Sequence, residues 1–260
     1  MPRSALLNVM VSAALKAGKL LSRDFDEVQN LQVSRKDPSD SVAQYHLKYQ
    51  EIIYQELLYA RPKYGFYGEG KSCVGQDSLT RWIVDPLNGS TNFLHAIPHF
   101  CISIALERAQ EIIASVIFNP ITDELYTAER GAGAFLNDRR IRVSSRRLLS
   151  KSLISCGIPR VTCQQNNHFL AHFNGIIDSI AGVRSFGAIA LDLAYIASGR
   201  FDGFWEKGFS PWSIAGGLLL VREAGGFATD FLGKATIVES KSIISGNIHI
   251  HKQLLTVMNS

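Results

Sequence analysis

The stretch Trp82-Ile83-Val84-Asp85-Pro86-Leu87-Asn88-Gly89-Ser90-Thr91-Asn92-Phe93 decides how the rest of the chain is read. Three apolar residues run into an acid, the pattern of a buried strand that ends at a functional edge. Pro86 has no N–H to give to a ladder and forces a turn after Asp85. An amide, a glycine and two hydroxyl residues follow. A hydroxyl ahead of an apolar residue marks a helix start, and Gly89 lets another group approach the backbone closely. A strand that delivers a carboxylate, followed by bare N–H groups at a helix N-terminus, can hold a cation and a phosphate side by side. An ordinary strand–turn–helix corner leaves the same pattern, so the flanking segments must decide.

Upstream, Ser4 can cap a helix whose apolar residues Leu6, Leu7, Met10, Val11, Ala14, Leu15 and Leu20 recur at helical spacing. A polar, turn-rich stretch from Val33 to Asp40 ends in a second cap. The helix behind it carries Val42, Tyr45, Tyr49, Ile52, Ile53 and Leu57 on one face. Arg61-Pro62 breaks that helix, and Tyr64 to Gly70 reads as a strand ending in Gly68-Glu69-Gly70, a second acid beside glycine. Residues 71–81 read as a polar loop.

Downstream the pattern turns to β. Phe100 to Glu107, Ile112 to Asn119 and Glu124 to Glu129 predict an antiparallel meander. Composition shifts to Arg and Ser around 140–152, which places a division between an N-terminal α+β half (1–145) and a C-terminal α/β half (146–260). In the second half short strands (Ser152 to Cys156, Val183 to Phe186, Gly203 to Glu206, Phe227 to Thr229, Ser242 to Ser245) alternate with helices (Asn166 to Ile180, Ala188 to Ala197, Pro211 to Ala224), which predicts a mixed sheet. Pro211 and Gly225-Gly226 are the start and stop signals of the last of these helices.

The 260 residues are 46% hydrophobic and 19% charged, enough apolar material for a sizeable core. A formal charge of +4 tolerates anionic small molecules without calling for nucleic acid. The one basic cluster, Arg139, Arg140, Arg142, Arg146, Arg147 and Lys151, reads as a solvated loop face. Cys73, Cys101, Cys156 and Cys163 are too scattered for a zinc site or a disulfide frame and read as small buried hydrophobes in a reducing compartment. Asn8, Ser12 and Lys16 interrupt the N-terminal apolar residues, so that segment reads as an amphipathic helix and not a signal peptide, and no run looks long enough to span a bilayer. The expected location is the cytoplasm.

With Gly68-Glu69, Trp82 to Phe93 and Pro211-Trp212-Ser213-Ile214-Ala215-Gly216 in this order, the chain resembles the inositol monophosphatase family, and within it the bacterial extragenic-suppressor (SuhB) type, over roughly residues 4–255. The resemblance implies a layered α-β-α-β-α sandwich, a homodimer, and Mg²⁺-dependent hydrolysis of phosphomonoesters such as inositol phosphate. It also implies the site. Glu69, Asp85 and the Leu87 carbonyl match the ligands of a first Mg²⁺; Asp85, Asn88 and Ser213 occupy the ligand positions of a second. Ser90 with Glu69 matches the pair that orients the attacking water, Gly89 and Ser90 the phosphate cradle, and Gly187, Ala188 and Glu206 the sugar-alcohol end of the pocket. Members of the SuhB type assist ribosomal RNA synthesis, so the transcription machinery is an implied partner.

The departures fall on the chemistry. Gly70 stands where the family has a glutamate, Asn88 and Ser213 where it has aspartates, and His46 where it has another aspartate; Ser90 for threonine keeps its hydroxyl. Phosphoryl transfer needs positive charge on the phosphoryl oxygens, and Mg²⁺ needs hard, anionic oxygens to supply it. Of four ligating carboxylates only Glu69 and Asp85 remain, and each lost charge costs on the order of a few kcal/mol of ion binding. The expectation is one weak Mg²⁺ site, a degraded second site, and a phosphatase that is impaired or acts only by binding. Asp192 reads as a packing or dimer residue, His95 and His99 as loop or surface histidines, and Trp82, Phe93, Phe100, Trp205 and Trp212 as core first and pocket wall second.

Overall fold

The computed structural model describes residues 3–31, 39–158, 163–236 and 238–259. The turn expected at 33–38 lies outside these residues, and of Asp40 and Val42 only the backbone is described.

The first helix, α1 (Ala5–Leu31), begins as its sequence dictates, with the Ser4 hydroxyl accepting from Leu7 N at 3.1 Å. By length and composition Ala5–Val28 is apolar enough to cross a bilayer, contrary to the reading of the sequence. Its apolar face is instead core: Leu7, Met10, Val11, Ala14, Leu21 and Phe25 are buried against α2 (Ser39–Ala60) and the sheet beneath. The two helices are tied by a buried carboxylate. Asp24 accepts from the Tyr49 hydroxyl at 2.7 Å and pairs with Lys48 and Arg23. Burial pushes the Asp24 carboxyl up, but those donors together outweigh it and hold it below the usual range.

Eight strands form the first sheet: β1 (Tyr64–Gly68), β2 (Lys71–Cys73), β3 (Asp77–Asn88), β4 (Cys101–Arg108), β5 (Glu111–Asn119), β6 (Glu124–Glu129), β7 (Gly133–Leu136) and β8 (Arg139–Arg140), in the order β2-β1-β3-β4-β5-β6-β7-β8. From β3 onward it is the expected meander, while β1 runs parallel to β3. The loop expected at 71–81 is largely strand, because β2 folds back on β1 and β3 starts at Asp77. Pro86 does not end β3. The ladder to β4 resumes at Asn88↔Cys101 after a shift between Asp85 and Asn88, so the proline sits in a bulge where no N–H is required. Alternation along the central strands sends Ile102, Ile104, Val116 and Phe118 toward α1 and α2, and Cys101, Ala105 and Ile117 to the opposite face.

On that opposite face lie α5 (Ile189–Ala197) and α6 (Pro211–Glu223). Gly216 lets α6 sit against the sheet: a Cβ there would be 2.7 Å from Ser103 Oγ. Beyond them stands the second sheet, β10-β9-β11-β13-β12, from β9 (Leu153–Cys156), β10 (Gly182–Arg184), β11 (Gly203–Lys207), β12 (Phe227–Thr229) and β13 (Ser242–Gly246). The expected mixed character is present, β9 being parallel to β10 and β11 while β13 runs antiparallel to β11 and β12. Trp205, Ile244 and Ile154 face outward to α4 (Cys163–Ile177) and α7 (Ile248–Met258). The sequence reading missed α7, whose amphipathic pattern is short and whose cap, Asn247, accepts from His249 N and Ile250 N. Helix pair, sheet, helix pair, sheet, helix pair make the expected α-β-α-β-α sandwich. Cys101 and Cys156 are buried as expected, but Cys73 is exposed, because β2 is an edge strand.

Candidate active site

Asp85, delivered by the bulge of β3, is buried with 3% of its surface exposed. Its Oδ2 accepts two hydrogen bonds, from Asn88 Nδ2 and from Ser213 Oγ, each at 2.9 Å. Its Oδ1 accepts from Leu87 N at 3.3 Å. The bulge thus folds Asn88 back onto the acid three residues before it, and α6 brings Ser213 in from more than a hundred residues away. Asn88 Oδ1 is engaged as well, accepting from Ala190 N at 3.0 Å in the first turn of α5. The amide therefore presents its N–H to Asp85 and its oxygen to the backbone.

Glu69 follows β1, with its backbone carbonyl held by Gln50 Nε2 at 2.9 Å. Its carboxylate is half exposed and lies 3.0 Å from His46 Nδ1. An imidazole thus stands where the resemblance calls for an acid.

Gly89 precedes the short helix α3 (Ser90–Leu94) with φ +89°. The cap position of this helix is taken by Gly89 and not by a hydroxyl residue, and the left-handed glycine makes the corner. A Cβ at Gly89 would lie 2.9 Å from His99 O and 3.0 Å from Ala188 Cβ, so Gly89 and Ala188 are in contact range across the fold. Asn92, which the sequence reading did not single out, donates to His99 O at 2.7 Å and to Phe186 O at 2.6 Å, tying α3 to the loop that carries Gly187. Its signal was only an amide one turn into the motif.

Glu206, at the end of β11, packs its carboxyl onto Gly157, where a Cβ would be 2.0 Å away. Asp192 of α5 lies within electrostatic reach of Glu206, and burial, with Glu206 adding to it, raises the Asp192 carboxyl well above the usual range. It is a packing residue, 1% exposed. His99 is not a surface histidine: its ring packs on Phe186 and Tyr195, and burial lowers its pKa to about 4. Trp82, Phe93, Phe100 and Trp205 are buried as expected, while Trp212 is half-buried with its edge on Tyr67.

Among the described residues no three His, Cys, Asp or Glu side chains come together as a metal-binding set. At the two positions that the resemblance matches to a second Mg²⁺, Asn88 turns N–H toward Asp85, and the Ser213 hydroxyl donates to the same oxygen.

A strand-end carboxylate, a glycine corner and a helix from the second half thus converge within one layered α-β-α-β-α sandwich. Residues 3–260 match the model of the Inositol monophosphatase family, and the chain belongs to that family. It is 56% identical over 259 residues to an inositol-1-monophosphatase of Rhizobium meliloti (strain 1021), covering 99% of this chain and 97% of that one. It is 39% identical over 258 residues to the Nus factor SuhB of Pseudomonas aeruginosa, covering 97% and 95%. The crystal structure of extragenic suppressor protein suhB from Bartonella henselae superposes with a TM-score of 0.91 at 51% identity, covering 99% of each chain.

Proposed function

We propose that this protein keeps the inositol monophosphatase scaffold while its Mg²⁺-dependent hydrolysis of inositol-phosphate-type monoesters is weak or lost. One observation carries the reading: the oxygen of Asp85 that would face a second ion already accepts two protein hydrogen bonds. Glu69, Asp85 and the Leu87 carbonyl are the residues that would hold one remaining Mg²⁺, which when bound would supply positive charge to the phosphoryl oxygens. Ser90 with Glu69 would orient water, Gly89 and Ser90 would receive the phosphate, and Gly187, Ala188 and Glu206 would meet the alcohol. The division near residues 145–146 is read as two halves of one unit, supported by a core cluster that draws residues from both. A homodimer in the cytoplasm is the expected state. Phosphate release from inositol 1-phosphate at saturating Mg²⁺ tests the proposal. A kcat/KM within about tenfold of the Rhizobium meliloti relative, assayed alongside, would refute it.

A second reading is favoured by the likeness to proteins named Nus factor SuhB: a protein that acts by binding the transcription machinery, for which fold and surface matter more than metal ligands. Pull-down from lysate, comparing wild type with surface-charge variants, discriminates. RNA polymerase and its factors retained equally by every variant, or by none, would count against it.

A further inference from the structure

The segment Arg139-Arg140-Ile141-Arg142-Val143-Ser144-Ser145-Arg146-Arg147-Leu148-Leu149-Ser150-Lys151 carries six cations and no acid. From sequence it reads as a solvated loop face, with nucleic-acid contact the lesser alternative. In the fold it is a rail fixed at several points. Ile141 N donates to Ala134 O at 2.9 Å and Val143 N to Ala224 O at 3.1 Å. Asn247 Nδ2 donates to Ser144 O at 3.0 Å and to Arg146 O at 2.9 Å, and Gln253 Nε2 donates to Arg147 O at 2.8 Å. Ile141 and Val143 pack on the central core and Leu149 is buried in the outer one, so the backbone cannot roll over. All six cationic side chains are exposed.

Asp202, 1% exposed, pairs with Arg146 at 3.1 Å and anchors the rail through it. Among the described residues, Arg139, Arg140, Arg142, Arg147 and Lys151 stand in no ion pair, whereas Arg3, Arg23, Arg81, Arg130 and Arg200 do. Lys252, exposed on α7 beside Gln253, adds a further cation to the same end. A solvated face needs no such immobilisation. Five guanidiniums in one acid-free segment form the electrostatic footprint of a polyphosphate partner.

We infer that Arg139 to Lys151, with Lys252 beside it, is a binding surface for the phosphate backbone of a nucleic-acid duplex. Guanidiniums match phosphate oxygens in a bidentate fork. The segment has no aromatic residue on which an unpaired base could stack, so contact is to the backbone and independent of base sequence. An acidic peptide added as a strand would need a longer edge than the two residues of β8, and pockets where Ile141, Val143 and Leu149 are already turned inward. A bilayer would call for interfacial aromatics, and Leu148 is the only large apolar side chain the rail leaves exposed. The inference rests on this surface and on neither reading of the active site.

The test is fluorescence anisotropy with a labelled DNA duplex of about 24 base pairs, repeated with an RNA duplex, from about 50 to 200 mM salt. Wild type should bind both with steep salt dependence. The variant R142Q/R147Q/K151Q should bind at least about tenfold more weakly, with the logarithmic salt slope on DNA reduced by about 2 to 3. The variant K19Q/K63Q/K234Q, equal in charge change and placed elsewhere on the surface, should bind as wild type does. Circular dichroism melts of both variants confirm folding. No duplex binding by the wild type at the lowest salt overturns the inference, as does equal loss in the control variant. Tighter binding to polyglutamate, or to phosphatidylglycerol vesicles, than to either duplex also overturns it, in favour of an acidic peptide or a membrane.

Discussion

Replacing Asn88 and Ser213 together by aspartate should make the fold depend on Mg²⁺. Each present side chain gives Asp85 Oδ2 a hydrogen bond at 2.9 Å. Each aspartate would exchange that donor for a like charge. At an effective dielectric of 20 a pair of unit charges at this separation repels by about 6 kcal/mol. That is a ceiling, since crowded carboxylates relieve themselves by taking up a proton, and about 2–4 kcal/mol is the expected penalty for the metal-free double variant at pH 7. At about 2–4 °C per kcal/mol, its melting temperature should fall by about 5–15 °C. A divalent ion removes the repulsion, and at about 100 times its Kd contributes about 2.7 kcal/mol to the folded state. Differential scanning fluorimetry with EDTA or with millimolar Mg²⁺ reads both effects. The double variant should recover most of its loss with Mg²⁺ and gain more affinity than the two single variants combined, since both acids would serve one ion. Wild type should shift by only a degree or two. A wild-type shift as large as that of the double variant would refute the reasoning, because the present donors would then not be blocking an ion.

Three further outcomes are expected. His99 has its pKa lowered from 6.5 to about 4 by burial. Below pH 6.5 the unfolded chain takes a proton that the folded one refuses, so up to about 3 kcal/mol of stability present at pH 7 should be lost as the pH falls toward 4. In urea titrations His99→Phe should flatten that dependence, and an unchanged profile would reject the assignment. Gly89→Ala should cost about 2–3 kcal/mol, through a left-handed backbone and a Cβ 2.9 Å from His99 O. Gly70→Ala, also left-handed but with nothing within 4 Å, should cost about 1 kcal/mol; equal losses would mean the contact at Gly89 is unimportant. Asp192→Asn should change stability by less than about 1 kcal/mol at pH 7, because burial disfavours the charged form of this acid and the amide carries no charge. A loss above about 3 kcal/mol would show a buried carboxylate instead.

The sequence by itself determined the scaffold. Period-two alternation in β4 and β5, the helical stripe of α1, and the Pro211 and Gly225 signals around α6 are local codes, written in neighbouring residues. The motif around Asp85 and its resemblance to a family pointed to the candidate site and to the positions where an amide and a hydroxyl stand in place of acids. Other features were illegible because no neighbouring residues encode them. Pro86 looks like a strand terminator until a bulge is seen to exempt it from the ladder. Cys73 looks like core until β2 proves to be an edge. The decisive case is Asn88, whose hydrogen-bonding sense is set by Ala190 N, 102 residues away, and whose partner Asp85 meets Ser213 at a separation of 128. The chain states which groups are present. Only packing β3, α5 and α6 together decides that these groups bond to one another, because a hydrogen bond requires a donor and an acceptor brought within about 3 Å, and sequence carries no distances.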